Sequence, residues 1–196
     1  MMSRSAVYSS TGSTGLNSYA EYSIPQWYVL RSSAGNAMAA AEQLSLKGIV
    51  AFAPWEYRAE TIGKEKVWHQ VPSQPDLLFL RATYTEVCNL IRQPELQGFH
   101  LVYNPEDSKA PMIASNDAMT NLIRIVEASI PQSYSVTEKE IHYRPGGMVL
   151  VTDGPFKGVK GHVARIHTQT RVVVTIPGVI SYATTYIPKH QMTGVI

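Results

Sequence analysis

The sequence of 196 residues contains one cysteine, Cys88. A single thiol cannot form an internal disulfide, which excludes the disulfide-stapled class of small secreted domains. Apolar residues flank it at helical spacing, namely Val87, Leu90 and Ile91. This pattern predicts a buried small apolar residue, with a reactive thiol as the less favoured alternative.

Long apolar runs are also missing from the chain. No stretch approaches the roughly 18 apolar residues that a membrane-spanning helix requires. The first residues lack the basic segment and apolar core of a secretory signal. We therefore expect a cytoplasmic protein that has no membrane partner.

Sequence patterns that carry chemistry are scarce as well. The six histidines show no spacing that would place two metal ligands on one helix face, and no cysteine pair accompanies them. Gly146 and Gly147 precede a predicted strand, whereas a phosphate-cradling glycine loop opens a helix. Neither a nucleophile elbow nor a His-Glu-x-x-His motif is present. The sequence predicts a protein that is not an enzyme, binds no cofactor and holds no metal.

Charge is distributed unevenly along the chain. From residue 142 onward six basic residues stand against the single acid Asp153, giving +5, whereas the preceding part has eleven basic and fourteen acidic residues, giving −3. A basic segment joined to a mildly acidic one favours an anionic partner for the former, nucleic acid being the first candidate. A solvated surface of scattered cations is the open alternative.

The segment from Val149 to Val163 is the most informative part of the chain. A strand pattern ends there at the turn signal Asp153-Gly154-Pro155, and Phe156 returns to the core. Gly158 and Gly161 mark a sharp bend or a positive φ before the next strand. The segment therefore predicts two strands joined by a glycine-centred turn.

Three further β-rich runs follow, at residues 171–176, 182–187 and 192–196. About five strands in about fifty residues can close on themselves, which removes exposed edges from a small domain. We therefore predict a small β-barrel over residues 145–196. An unrelated barrel that shares only the glycine turn is the alternative.

The earlier part of the chain has the pattern of an α+β domain over residues 24–130. Its predicted order is β-α-β-β-α-β followed by a further helix, with helices over one face of a largely antiparallel sheet. Thr83 and Glu86 form a capping box for the second helix, and Ser115 can cap the third. Residues 1–23 are predicted to be a disordered tail, and residues 131–144 a polar linker.

The Val149 to Val163 segment resembles the KOW motif, which joins the first two strands of an SH3-like barrel. With the opening run Gln26-Trp27-Tyr28-Val29-Leu30, residues 25–196 resemble the NusG family of transcription elongation factors. The first domain would then be an NGN-type α/β sandwich. Residues 75–80, 122–126 and 183–188 are most similar to the specialised UpxY-like (RfaH-related) antiterminators of capsular polysaccharide operons.

This resemblance implies that the first domain binds the clamp helices of the largest RNA polymerase subunit and suppresses pausing. The implied polymerase-binding residues are Trp27, Tyr28, Gln74, Pro75, Asp76 and Leu77. Aromatic anchors suit such an interface because they bury much area with few rotors. Strand alternation directs one of Trp27 and Tyr28 inward, so we expect only one of them to be an anchor.

The resemblance also implies contact with non-template DNA or nascent RNA. The implied nucleic-acid-binding residues are Arg31, Ser33, Asn36, Arg58, Lys64 and Lys66. A polar hairpin is predicted from Arg58 to His69, and its Trp68 or His69 could stack on an unpaired base. A mobile, solvated hairpin is the alternative to direct nucleic-acid contact.

The KOW barrel of the family recruits further factors, such as a ribosomal protein. The implied contact residues are Phe156, Lys157, Ile176, Pro177, Gly178 and Val179, with Phe156 as a plain core residue in the alternative. Pro177 stands where the general factors often carry an aromatic, so Rho binding is not expected. Two other functions stay open, namely a ribosome-associated RNA-binding KOW protein and a general NusG elongation factor.

Overall fold

The computed structural model describes residues 23–128, 131, 133–166 and 168–195. The tail predicted over residues 1–23 lies outside this part of the chain, apart from Ser23. The elements of the first half, in chain order, are β1 (Gln26–Ser32), α1 (Ala37–Leu46), β2 (Val50–Phe52), β3 (Trp55–Ile62), β4 (Glu65–Pro72), β5 (Leu77–Ala82), α2 (Tyr84–Leu90), β6 (Phe99–Leu101), β7 (Tyr103–Asn104), β8 (Asp107–Pro111), β9 (Ile113–Ala114) and α3 (Asn116–Glu127).

Five strands of the first half form one antiparallel sheet, which we call the N-terminal sheet. Its order is β2-β5-β1-β6, and β9 pairs with the other end of β1. The remaining four strands form two separate hairpins, β3 with β4 and β7 with β8. The architecture is thus mixed α/β and rich in strands.

The predicted helix caps are confirmed. The Thr83 hydroxyl accepts a hydrogen bond from the Glu86 amide at 3.3 Å, while the Glu86 carboxylate accepts one from the Thr83 amide at 2.8 Å. The Ser115 hydroxyl accepts from the Ala118 amide at 3.2 Å. These bonds satisfy amides that have no partner within the first helical turn, so both helices begin where their caps predict.

Residues 49–57 and 98–103 each have the sequence pattern of one continuous strand, but both runs are divided in the structure. The run over residues 49–57 forms β2 and β3, with Ala53 and Pro54 between them. Proline has no amide to donate to a ladder, and the Pro54 carbonyl instead accepts from the Ser73 amide at 2.9 Å. The run over residues 98–103 divides at Val102, where the short hairpin of β7 and β8 leaves the sheet.

The second half forms a six-stranded antiparallel sheet, which we call the C-terminal sheet. Its strands are β10 (Tyr134–Val136), β11 (His142–Val151), β12 (Lys160–Ile166), β13 (Gln169–Ile176), β14 (Ile180–Ala183) and β15 (Met192–Gly194). Their order is β10-β14-β13-β12-β11-β15. Among the described residues, no ladder joins the two outer strands β10 and β15.

The segment predicted as a polar linker, residues 131–144, contributes to this sheet. It contains β10 and the first residues of β11. Val136 and Ile141 are buried in a small core with Ala164 and Ile166. The apolar residues of this segment are too few and too widely spaced to show a strand period, so their burial depends on contacts that are distant in sequence.

The segment between β11 and β12 requires glycine for two different structural reasons. Gly154 and Gly158 have φ of +80° and +88°, a region that favours glycine. Gly161 has no such φ, but a Cβ built on it would lie 2.6 Å from the Val173 carbonyl oxygen. Gly161 is therefore required by the close approach of β12 and β13.

Candidate functional site: the seam between the two sheets

The N-terminal sheet presents two apolar faces because side chains alternate along β1 and β5. Tyr28, Leu30, Leu78 and Leu80 lie on one face and pack with residues of α1 and α2. We call this the helix-side face. It needs no further partner, because the two helices cover it.

The opposite face, which we call the seam-side face, carries Trp27, Val29, Leu77 and Phe79. These residues share one apolar core with α3 and the C-terminal sheet. The members from α3 are Met119, Leu122, Ile125 and Val126, and those from the C-terminal sheet include Phe156, Val172, Val174, Ile176 and Tyr182. We call this shared core the seam.

Helix α3 lies between the two sheets and contacts β1 as well as β13 and β14. Asn121, on the buried side of this helix, is 8% exposed, and its side-chain oxygen Oδ1 accepts a hydrogen bond from the Lys160 amide at 2.8 Å. Arg124 donates to the Gly158 carbonyl at 2.8 Å. In addition to its apolar contacts, the helix is therefore joined by two hydrogen bonds to the end of the glycine-centred turn and the start of β12.

Arg31, at the end of β1, links the same two regions. Its guanidinium forms an ion pair with the Asp76 carboxylate at 2.8 Å and donates to the Val179 carbonyl at 3.4 Å. Both side chains of the ion pair are partly exposed, so the pair itself contributes little stability. Its main consequence is geometric, since it fixes the entry to β5 beside the β13–β14 turn.

Tyr182 connects the C-terminal sheet to the first hairpin. Its hydroxyl donates to the Trp55 carbonyl at 2.6 Å, and the residue is 1% exposed. Burial raises the pKa of this phenol above its ordinary value of 10 because the charged form would lose its hydration. Tyr182 is therefore a neutral hydrogen-bond donor across the physiological pH range.

The predicted polymerase-binding residues divide into three groups in the structure. Tyr28 is fully buried on the helix-side face, so it is not exposed as an anchor. Strand alternation predicted that one of Trp27 and Tyr28 would point inward. Trp27 and Leu77 are 7% and 0% exposed in the seam. Gln74, Pro75 and Asp76 remain at the rim, where Pro75 is exposed.

The predicted KOW contact residues are divided as well. Phe156, Ile176 and Val179 are buried in the seam, which corresponds to the core alternative considered for Phe156. Pro177, Gly178 and Lys157 are exposed. Two open grooves of about 620 and 820 Å³ flank Pro177, so the β13–β14 turn is accessible to a partner.

The structure does not join the predicted nucleic-acid-binding residues into one site. Arg31 is held by Asp76 and Val179, and the Ser32 hydroxyl beside it donates to the Asn36 side-chain oxygen at 3.0 Å. Ser33 and Asn36 are exposed near the end of β1. Arg58, Lys64 and Lys66 lie on the separate β3–β4 hairpin.

Sequence reasoning missed three residues that hold the seam, namely Asn121, Arg124 and Tyr182. One of them carried a signal, since Asn121 is a polar residue adjoining the apolar stripe of α3, where a partner for the amide is required. Nothing in the sequence marks Arg124 or Tyr182, because their acceptors are backbone carbonyls far away along the chain.

The described residues contain no group of three or more His, Cys, Asp or Glu placed to hold a metal ion. No helix within the same part of the chain is long and apolar enough to cross a membrane.

Comparison with known families identifies a KOW motif in the chain. The model of the KOW motif matches residues 145–176, which include β12, most of β11 and all of β13. A search of curated proteins finds no match to the chain. The KOW part of the resemblance is thus confirmed, and the motif indicates an RNA-binding, transcription-related or translation-related KOW protein.

Proposed function

We propose that the protein is an operon-specific transcription antiterminator of the NusG type. In this proposal it binds the RNA polymerase clamp, suppresses pausing or termination, and serves surface polysaccharide operons. The KOW motif at residues 145–176 supports the general class. One observation carries the site: Trp27 and Leu77, expected to bind polymerase, share a core with Phe156 and Ile176 of the KOW part.

Burial of this core sets a condition on the proposed contact. Trp27 and Leu77 reach polymerase only when the C-terminal sheet leaves the seam-side face, since both are buried in the closed arrangement. The apparent affinity for polymerase is then reduced by the fraction of molecules that are open. Pro75, exposed at the rim, is available for contact before the seam opens.

The proposed action on polymerase is preferential binding. A factor that binds both sides of the cleft in the closed clamp stabilises that state by the difference between its affinities for the two clamp states. No covalent chemistry is required. The freed KOW part then recruits a further factor or nascent RNA through the exposed β13–β14 turn.

A titration of labelled protein with RNA polymerase tests this function. Arg124→Ala removes one contact across the seam from an exposed side chain, so the affinity for polymerase should rise by about threefold. Trp27→Ala removes the proposed anchor and also weakens the seam; because the loss of the anchor should outweigh the easier opening, the affinity should fall by at least about tenfold. Arg92→Ala, an exposed arginine on the other side of the sheet, serves as the matched control and should leave it unchanged.

Thermal unfolding of each variant distinguishes a lost contact from a lost fold. Absence of any polymerase binding by the folded wild-type chain and by folded Arg124→Ala would contradict the proposal. Equal affinities for the wild type and a folded Trp27→Ala variant would remove the assigned surface while leaving the function open.

An RNA-binding KOW protein of the ribosome is the second candidate. Exposed Lys157, Lys160, Arg165 and Lys189 on the C-terminal part favour it, since they give this part a basic surface. Recovery of ribosomal RNA without polymerase subunits in a pull-down would support this candidate. Recovery of Rho, with binding at most operons, would instead indicate a general elongation factor.

A further inference from the structure

β2, one outer strand of the N-terminal sheet, has a free edge. It pairs with β5 on its inner side, and among the described residues no strand pairs with its outer side. Within the same part of the chain, no backbone hydrogen bond outside the ladders involves Val50, Ala51 or Phe52. The amides and carbonyls on the outer side of β2 can therefore bind another strand.

The composition of this edge favours such pairing. Residues 49–53, Ile-Val-Ala-Phe-Ala, contain no charge and no proline. Natural outer strands are usually protected by a charged residue, a proline or a bulge within the strand. β6, the outer strand on the opposite side of the sheet, carries His100 at its centre. On β2, by contrast, the apolar side chain of Val50 is 51% exposed.

The edge is accessible along its whole length, because an open groove lies at each end of β2. The groove at the start of the strand has a volume of about 450 Å³, and its lining includes Pro25, Val50 and Arg81. The groove at the end of the strand has a volume of about 220 Å³, and its lining includes Phe52, Trp55 and Glu127. A strand added to β2 would therefore find space for its own side chains at both ends.

A cation marks the Val50 end of the edge. Arg81 lies directly opposite Val50 in one ladder and opposite Trp27 in the other, so it belongs to the seam-side face. The Arg81 side chain is exposed. Glu86 lines the same groove from α2, on the helix-side face, where its carboxylate accepts a hydrogen bond from the Thr83 amide. The seam side of this end is therefore positively charged.

An anion marks the Phe52 end. Glu127, the last residue of α3, lines the groove beside Phe52 and is exposed. Phe52 is directly opposite Phe79 of β5, so this end also belongs to the seam-side face. Along that side, β2 thus runs from a positive end to a negative end.

This polarity makes the edge complementary to itself. Antiparallel pairing reverses the direction of the second strand, so the Phe52 end of a second copy would lie beside the Val50 end of the first. A two-fold axis at Ala51 would place Val50 of each copy opposite Phe52 of the other. The same axis would bring Arg81 of each copy towards Glu127 of the other. A symmetric interface requires such an arrangement, because one patch must complement itself.

We infer that β2 pairs antiparallel with β2 of a second copy of this chain, so that the two N-terminal sheets join across a two-fold axis. Three strand residues give a small interface, in the size range of weak and transient contacts. The expected dissociation constant is on the order of 100 µM. The pairing requires no polymerase, so its failure would leave the proposed function standing.

Sedimentation velocity of the full chain over roughly 10–500 µM brackets this constant and tests the inference. The wild type should change from one protomer to two across this range. Val50→Lys places a charge at the centre of the joined sheets and should weaken dimerisation by at least about tenfold. Ile62→Lys, at an apolar residue that is 56% exposed at the end of β3, is the matched control and should leave dimerisation unchanged.

A charge exchange tests the two-fold geometry itself. Arg81→Glu alone and Glu127→Arg alone each bring like charges together at both ends of the interface, so each should weaken dimerisation by about tenfold. An equal mixture of these two variants should dimerise again, because opposite charges then meet at both ends. Glu127→Arg places a cation in the last turn of a helix, which favours it, and thermal unfolding checks the fold of each variant.

Hydrogen exchange identifies what covers the edge. The amides of residues 49–53 should exchange more slowly as the protein concentration rises. Slow exchange of these amides in a chain that stays monomeric would show a different occupant and overturn the inference. It is also overturned if the wild type stays monomeric throughout, if Val50→Lys and Ile62→Lys dimerise equally, or if the mixture associates no better than its components.

Discussion

The two faces of the N-terminal sheet are equally buried but are covered in different ways. Neighbouring segments of the chain, α1 and α2, cover the helix-side face. The seam-side face is covered by α3 and by a sheet that begins about a hundred residues after β1. The first cover is formed by segments that are close in sequence to the strands they cover, whereas the second joins two regions of the chain that are far apart in sequence.

The largest expected effect comes from adjacent leucines of β5, Leu77 and Leu78, which are both fully buried on opposite faces. Each substitution by alanine should lower the free energy of unfolding by about 3 kcal/mol, since each leaves a similar cavity. Hydrogen exchange should distinguish them. Leu77→Ala should raise exchange first in α3 and β13, and Leu78→Ala in α1 and β1.

Identical exchange profiles for the two leucine variants would show that the seam opens only with the whole molecule. The two faces of the sheet would then not differ in how readily their covers open.

A smaller effect is expected from Gly161→Ala, which tests whether the C-terminal sheet is as closely fitted as the N-terminal one. The new methyl group would meet the Val173 carbonyl oxygen at 2.6 Å, so β12 and β13 must move apart at a cost of about 2 kcal/mol. Gly194→Ala is the control, since no atom lies within 4 Å of its built Cβ. Equal thermal midpoints for the two variants would contradict this close fit.

The smallest effect is a pH dependence of stability that arises from the N-terminal capping box of α2. The hydrogen bond from the Thr83 amide holds the pKa of Glu86 below its ordinary value of 4.5. A lowered carboxyl pKa contributes stability that is present above pH 4.5 and is lost as pH falls through the folded-state pKa. Urea unfolding at pH 7 and pH 3 should therefore show a weaker pH dependence in Glu86→Gln, whereas an unchanged dependence would contradict this role of the cap.

Features set by neighbouring residues could be predicted from the sequence. The Thr83 capping box, the Ser115 cap and the turn at Gly154 each depend on contacts within a few residues. The β3–β4 hairpin was also predicted, although its strands extend further, from Trp55 to Pro72. Local hydrogen bonds and backbone preferences decide these elements, so their signals are present in short windows.

The seam could not be predicted in the same way. β10 is a strand because Tyr134 to Val136 pair with β14, about fifty residues later. Likewise, the apolar alternation of β1 shows that Trp27 and Tyr28 face opposite ways, but it does not show what covers each face. Such contacts depend on how two separately formed sheets meet, and single-sequence patterns carry little information about that meeting.

The hydrogen bond from Tyr182 to the Trp55 carbonyl has a mechanical consequence. It joins the base of the β3–β4 hairpin to β14, so the direction of the hairpin is set by the same sheet that buries Trp27. Any movement that lifts this sheet breaks the tie and exposes a carbonyl and a phenol that water must then solvate. Exposure of the seam-side face and release of the β3–β4 hairpin should therefore occur together.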